Sequence, residues 1–294
     1  MSKSDEKKQG VDTPQTRSSS YTLAYEDDVF LQRDELRAVR LQIELLKPDL
    51  ILEEKNIRST IVVFGSARAP SPERAEETYA ASVKAAALLH DEKERTLALR
   101  RAERVRARTR YYDEARNFAR IAAENAHANA ELNFVIATGG GPGIMEAANR
   151  GAAEAGALTI GYNISLPHEQ APNPFITPEL CFQFHYFALR KMHFLMRAKA
   201  LVIFPGGFGT LDELFETLTL IQTGKIEPMP VLLFGRDYWS RIVNFEVMVE
   251  EGVIEPCDLD IMTYVESASE AWEFIDQFYD DPGARPPLMR CSPI

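Results

Sequence analysis

The sequence predicts an α/β protein: a doubly wound, mainly parallel sheet with helices on both faces, plus helical elaborations at the N-terminus and in one insertion. Two observations predict it. Short apolar runs alternate with longer amphipathic segments, the pattern of strand–helix–strand units. Three of those runs end in glycine turns, at Gly65, at Gly139 to Gly143 and at Gly206 to Gly209. Such turns gather at the carboxyl edge of a parallel sheet, near its topological switch point.

Composition narrows the class. The chain has 294 residues, 45% hydrophobic and 26% charged, ordinary for a globular protein and enough for a core without disulfides. Cys181, Cys257 and Cys291 form no close pair, so neither a zinc pattern nor a secreted framework is expected, and a reducing cytoplasm is. No run of about 18 apolar residues exists, so no membrane span is expected. The N-terminus lacks the apolar core of a signal peptide. A net charge of −11 argues against a general nucleic-acid binder. The five histidines lack metal-ligand spacing, so no metal is expected.

Residues 1–20 are polar and read as a disordered tail, followed by one domain over 21–280. Leu31, Leu36, Val39, Ile43 and Leu46 mark an amphipathic helix over 28–47, stopped before Pro48. It packs either on the main domain or on a second subunit. Ile61 to Phe64 is the first strand. In the turn after it, Ser66 and Arg68 either meet a phosphate or ribose or serve only the turn.

From Glu73 to Asn133 there is no glycine or proline. The stretch predicts a long helical segment, about 73–130, as one helix or as two meeting near His90 and Asp91. Arg95, Arg100, Arg101, Arg104, Arg106, Arg108 and Arg110 crowd its middle, interspersed with Glu92, Glu94 and Glu103. Base-reading aromatics are lacking over most of it, so it reads as a solvated or subunit-contacting helix.

Asn133 to Thr138 is the second strand and Ile144 to Ala155 the helix after its glycine turn. A dinucleotide reading fails, because no carboxylate follows within Thr159 to Asn163. Ala157 to Tyr162 is the third strand. The proline-punctuated loop 163–178 is placed to cover a site, with His168 read as exposed and uninvolved beside Glu169. Residues 180–198 read as a helix, with Phe184, Phe187, Met192, Leu195 and Met196 in the core. An arginine in that setting, Arg190, either snorkels or pairs with an anion.

Ala200 to Phe204 is the central strand. Gly206, Gly207 and Gly209 are expected to take positive φ and to bring backbone close to a ligand. A helix follows, with Thr210 at its N-cap and Leu214, Leu218 and Ile221 facing inward. Its free N–H groups and dipole suit a phosphate. Thr210 and Glu213 also fit a capping box that needs no ligand, and the residues alone leave both readings open. Strands at Met229 to Phe234 and Ile261 to Val265, each followed by a helix (Tyr238 to Glu250 and Ala268 to Tyr279), complete the pattern. Residues 281–294 read as a loose tail.

The run Pro205-Gly206-Gly207-Phe208-Gly209-Thr210-Leu211-Asp212-Glu213 resembles the Pro-Gly-Gly-x-Gly-Thr-x-x-Glu signature of the LOG ("Lonely guy") family, phosphoribohydrolases of nucleoside 5′-monophosphates often mislabelled lysine decarboxylases. Thr138-Gly139-Gly140-Gly141-Pro142-Gly143-Ile144-Met145-Glu146 and Arg190-Lys191 match its other marks in order, so the resemblance covers about residues 60–265. It implies a Rossmann-like fold that splits AMP, or an N6-substituted AMP such as a cytokinin nucleotide, into free base and ribose 5-phosphate. It implies no cofactor and at least a homodimer.

By the same resemblance, Glu213 stabilises the oxocarbenium-like ribose and activates water. Arg190 positions the substrate and holds Glu213 ionised. Gly206, Gly207, Gly209 and Thr210 hold the phosphate. Ser66, Gly140, Gly141 and Met145 lie at the nucleotide. Glu146 either reads the base or caps its helix. Lys191 either supports the phosphate or faces solvent, and Asp212, about 100° further round the helix, faces away from the bond to be cut. A nucleotide sensor without turnover is the competing class. A pyridoxal-phosphate decarboxylase is another, but Lys191, Lys199 and Lys225 have no recognisable setting for it.

Overall fold

The computed structural model describes residues 11–126, 132–166 and 171–280. The expected tail at 281–294, the first ten residues of the expected N-terminal tail, and His168 and Glu169 lie outside them. The chain divides into two compact units at Lys47 and Pro48.

In the first unit, the chain from Val11 runs in hydrogen-bonded turns, with Arg17 paired to Asp12 at 2.6 Å and a 3-10 helix at Ser19–Tyr21. The helix expected over 28–47 is interrupted. Helix α1 (Asp28–Leu31) starts at Asp27, whose carboxylate accepts from Phe30 N, and α2 spans Arg37–Glu54. The Arg40 guanidinium donates to the carbonyls of Leu31 and Arg33, both at 2.6 Å, and so fixes the break between them. Helix α2 does not stop before Pro48. Beyond the proline, Asp49 is anchored by Arg197 at 2.5 Å, and Leu52 is buried. Tertiary contacts outweigh the local bias against helix before proline.

The second unit holds a seven-stranded sheet: β1 (Thr60–Phe64), β2 (Val135–Thr138), β3 (Thr159–Ile164), β4 (Cys181–Phe184), β5 (Ala198–Ile203), β6 (Val231–Phe234) and β7 (Met262–Val265). Its order is β4-β3-β2-β1-β5-β6-β7, and every neighbouring pair is parallel. The helices are α3 (Pro72–Ala87), α4 (Glu92–Ala107), α5 (Thr109–Asn125), α6 (Ile144–Glu154), α7 (Phe187–Met196), α8 (Phe208–Gln222), α9 (Arg236–Ile242), α10 (Phe245–Glu250) and α11 (Ala268–Asp280). This is the doubly wound, Rossmann-like fold expected from the alternation. The chain winds outward from β1 to β4, returns to β5 beside β1, and winds the other way. The crevice between the carboxyl ends of β1 and β5 is therefore the switch point. There Ser66 N donates to Pro205 O at 3.1 Å, joining the two glycine turns.

Three further corrections concern elements. The segment 180–198 is not one helix: β4 precedes α7, with Phe182 and Phe184 buried and Gln183 exposed. That alternation is the period of a strand. Within α7, Leu189, His193 and Phe194 are buried, but Phe187, Met192 and Met196 are about half exposed rather than in the core. The glycine-free stretch forms three helices. It breaks near His90, where Asp91 caps α4 through Glu94 N at 2.8 Å, and again at Arg108. Helix α5 is the buried crossover from β1 to β2, placing Tyr112, Ala115, Phe118, Ala119 and Ala122 in the core with Ala147, Ala148 and Ala152 of α6. The surplus over a plain crossover is the pair α3 and α4, joined by Arg106 and Glu76 at 2.7 Å. Similarly, 238–250 is two short helices, because Asn244 caps α10 through Val247 N.

Among the described residues, no helix is long and apolar enough to cross a membrane. Cys181 is a free thiol, while Cys257 is disulfide-bonded, which runs against the expectation of a reducing cytoplasm.

Candidate active site

Three glycine turns meet at the carboxyl edge. After β1, the Ser66 hydroxyl accepts from Arg68 N at 3.1 Å, and its carbonyl accepts from Ile144 N at 3.2 Å. Ser66 therefore ties the first turn to the start of α6. The Arg68 side chain itself is exposed. After β2, Gly140 and Gly143 take positive φ, 74° and 73°. A Cβ on Gly143 would stand 2.4 Å from the Ser66 carbonyl, so only glycine permits this approach. Gly206, Gly207 and Gly209 do not take the positive φ expected of them. Gly206 is needed for a different reason: a Cβ there would stand 2.0 Å from Thr210 Oγ1.

Asparagines hold the second turn. Asn149 of α6 accepts from Thr138 Oγ1 at 2.7 Å and from Asn173 Nδ2 at 2.8 Å, and donates to Ile160 O at 3.2 Å. Asn173 N donates to Gly140 O at 2.9 Å, and its side-chain amide to Gly141 O at 3.1 Å. The proline-punctuated loop thus closes on the glycine turn through Asn173.

Helix α8 starts at Phe208, so Gly207 is its N-cap and Thr210 lies inside the first turn. The capping box offered as the alternative does not form. No side chain caps the helix among the described residues. Gly207 and Gly209 have open space where a Cβ would stand. The helix N-terminus thus faces an open position, with its positive dipole end unneutralised.

One turn into α8, Glu213 is only 6% exposed. Among the described residues, its carboxylate has neither an ion pair nor a side-chain hydrogen bond. Burial raises its pKa, and Lys191 and Arg190 lower it less, so it settles at about 7. The net direction is opposite to the expectation that Arg190 holds it ionised. Arg190 lies across the ends of β2 and β3. Its Nε donates to Tyr162 O at 2.7 Å, and Nη2 lies against Gly139, beside the Met145 sulfur. Burial lowers the Arg190 pKa, and Glu213 opposes that shift, so the two charges sense one another.

Lys191 does not face solvent: it pairs with Asp212 at 2.9 Å and Glu216 at 3.0 Å. Burial works against its charge, but those hydrogen bonds outweigh it and raise its pKa. Asp212 is exposed and engaged by Lys191. Glu146 accepts from Tyr112 Oη at 3.0 Å. Burial of that phenol raises its pKa to about 12, so it serves as a neutral donor.

Sequence reasoning missed Tyr112, Asn149, Asn173 and Tyr238, whose hydroxyl donates to Gly206 O at 2.5 Å. Asn149 carried a signal, a polar residue on the apolar face of α6. The others reach the site from distant segments.

The family model described as "Possible lysine decarboxylase" matches residues 145–275. The chain is 34% identical over 91 residues to the cytokinin riboside 5′-monophosphate phosphoribohydrolase LOG3 of Arabidopsis thaliana, covering 30% of this chain and 42% of that protein. It is 30% identical over 144 residues to the probable cytokinin riboside 5′-monophosphate phosphoribohydrolase LOG4 of Oryza sativa subsp. japonica, covering 48% of this chain and 60% of that protein. The alignment with the Arabidopsis relative thus spans about two fifths of its length. Among solved structures, the molybdenum cofactor binding protein from Rippkaea orientalis aligns over 76% of this chain and 99% of its own, at 17% identity and a TM-score of 0.45. On the sequence matches, the chain is similar to LOG-family proteins over less than half of its length.

Proposed function

We propose that the chain hydrolyses the N-glycosidic bond of a nucleoside 5′-monophosphate, releasing free base and ribose 5-phosphate. The observation that carries this reading is Glu213, a buried carboxylate that among the described residues has no ion pair or side-chain hydrogen bond, beside an uncapped helix N-terminus and a half-buried arginine. An unpaired buried carboxylate is costly, and chemistry is a reason to keep one. The 5′-phosphate sits at Gly207, Phe208 and Gly209 on the positive end of α8. The ribose lies against Glu213, and Arg190 orients the nucleotide from the β2 side.

As the bond breaks, positive charge develops on the ribose, and the Glu213 carboxylate stabilises it. Water then attacks the anomeric carbon. The proton it loses passes to Glu213, whose pKa near neutrality suits a base, and then to the departing base, which leaves neutral and returns Glu213 to the carboxylate. The phosphoribohydrolase names of the relatives support the same reaction. A Schiff-base role for Lys191 is disfavoured, because a nucleophilic amine must lose its proton and Lys191 is held charged by two carboxylates.

The reading extends to a homodimer. Helices α7 and α8 expose Phe187, Met192, Met196 and Phe208, an apolar face suited to a second copy of the chain.

The test is chromatography of products from AMP and, separately, from isopentenyladenosine 5′-monophosphate. Wild type releases base from at least one, and Glu213→Gln from neither. Base from the prenylated substrate alone identifies a cytokinin-activating enzyme, and adenine from AMP a broader nucleosidase. No base from either, or undiminished release by Glu213→Gln, overturns the reading.

A further inference from the structure

The arginine-rich run has no part in the chemistry above, and the structure brings its C-terminal end to a cleft. The joint between α4 and α5 faces α9 across a cavity of about 460 Å³. Arg104, Arg108 and Arg110 line it from the joint, Arg241 from α9, with Pro205 and Tyr238 among its other walls. Asp237 is the only carboxylate among the lining residues. Four guanidiniums thus face one carboxylate, in a chain whose net charge is −11.

Carboxylates compensate these charges poorly, although Arg110 also donates to Tyr111 Oη at 2.6 Å. Arg17, Arg116, Arg150 and Arg197 each meet a carboxylate at 3.1 Å or less. Among the described residues, Arg104, Arg108 and Arg110 form no ion pair, and Arg241 reaches Asp237 only at 3.9 Å. Like charges crowded into a cleft repel one another unless an anion joins them. The guanidinium fork is matched to phosphate oxygens, and the cavity has the size of a small-molecule site.

We propose that this cleft is a second anion site, which takes a small molecule carrying two or more linked phosphates. None of the residues assigned to the substrate lines it. It adjoins the glycine loop instead: Pro205 is shared wall, and Tyr238 donates its hydroxyl to Gly206 O. A single phosphate would leave part of the arginine set unmatched, whereas a pyrophosphate group can span it. The site does not depend on the glycosidase reading, because binding needs no turnover.

The experiment is isothermal titration of the full chain with inorganic pyrophosphate, and separately with a nucleoside triphosphate. The expected result is saturable binding, weakened at least about tenfold in Arg108→Ala/Arg241→Ala, since each loses a charge-assisted hydrogen bond. Arg241→Ala alone, on the exposed face of α9, is the variant to read if the double variant does not fold. Arg95→Ala removes the same charge away from the cavity and leaves the affinity unchanged.

Gly207→Asp separates the two anion sites. Its side chain has open space and φ −101° at the start of α8, so it places a negative charge there. Pyrophosphate binding survives that substitution. Tighter binding of the triphosphate than of pyrophosphate marks a nucleotide as the occupant, and equal affinities mark free polyphosphate. The proposal is overturned by no heat at millimolar pyrophosphate, by equal loss in Arg95→Ala, or by loss in Gly207→Asp with retention in the arginine variants.

Discussion

At Glu213 the energetic cost and the proposed chemistry come from the same atoms. Burial lifts its pKa from 4.5 to about 7. In the unfolded chain the group titrates near 4.5, so the folded state binds more protons between the two values. Stability contributed by this residue therefore falls as pH rises from about 4.5 to 7, and stays low above that. The full shift is worth roughly 3 kcal/mol. Glutamine cannot ionise, so Glu213→Gln should be more stable than wild type at about pH 8, with the advantage fading towards pH 5. Urea midpoints at the two pH values measure this, and an equal gain at both would contradict the buried-carboxylate account. Turnover should show the complementary limb, rising with pH through about 7 as the carboxylate ionises. A flat kcat profile across that range would remove Glu213 from the charged role.

Glu146 is tested at the same scale through its phenol donor. Tyr112→Phe leaves the ring in the core but removes the hydrogen bond at 3.0 Å to Glu146. Loss of such a bond to a charged partner costs about 1.5–3 kcal/mol. If Glu146 reads the base, KM should rise more than kcat falls, which steady-state kinetics on the accepted nucleotide resolves. An unchanged KM would reduce Glu146 to a structural residue. Nothing local to Glu146 announces this contact, because Tyr112 lies 34 positions away. The glycines and Glu213 were legible because they form one contiguous signature. Tyr112, Asn173 and Tyr238 were not, because the fold alone brings them to it.

Among the elements, the glycine turns separate into those that must be glycine for the backbone and those with open space where a Cβ would stand. Gly143→Ala combines φ 73° with a Cβ 2.4 Å from the Ser66 carbonyl. It should cost roughly 2 kcal/mol or more and lower the urea midpoint. Gly207→Ala has ordinary φ and free space, so stability should hold while substrate binding weakens. Equal destabilisation by both would mean that the α8 turn is constrained like the α6 turn. Element errors in the sequence reading share a physical origin. Strand β4 hides because four residues of alternation sit directly before a helix of stronger period. Helix α2 passes Pro48 because Arg197 holds Asp49, a contact 148 positions apart. The six strands that were read have apolar runs long enough to stand alone. The break at Arg108 has neither glycine nor proline to mark it.

For the whole molecule, the surface of α7 and α8 bears on assembly. Met192 and Met196 line one hollow and Phe208, Leu211 and Phe215 another, and the two share Glu216 and Leu220. The exposed apolar side chains therefore form one continuous face rather than scattered residues. Lys191, paired to Asp212 and Glu216, sits within that face, and Glu213 is on the same helix. A second copy seated there would cover apolar surface and exclude water next to the carboxylate, linking assembly to catalysis. Light scattering of wild type should give twice the chain mass. Met192→Glu/Met196→Glu places charges on half-exposed positions, which the folded chain tolerates, but which a desolvated interface does not. The variant should run as a folded monomer by light scattering and circular dichroism, with activity reduced in parallel. A wild-type monomer, or a variant that remains a dimer, would exclude this face as the interface. A monomeric variant with full activity would leave the interface in place and show that one copy suffices for the chemistry.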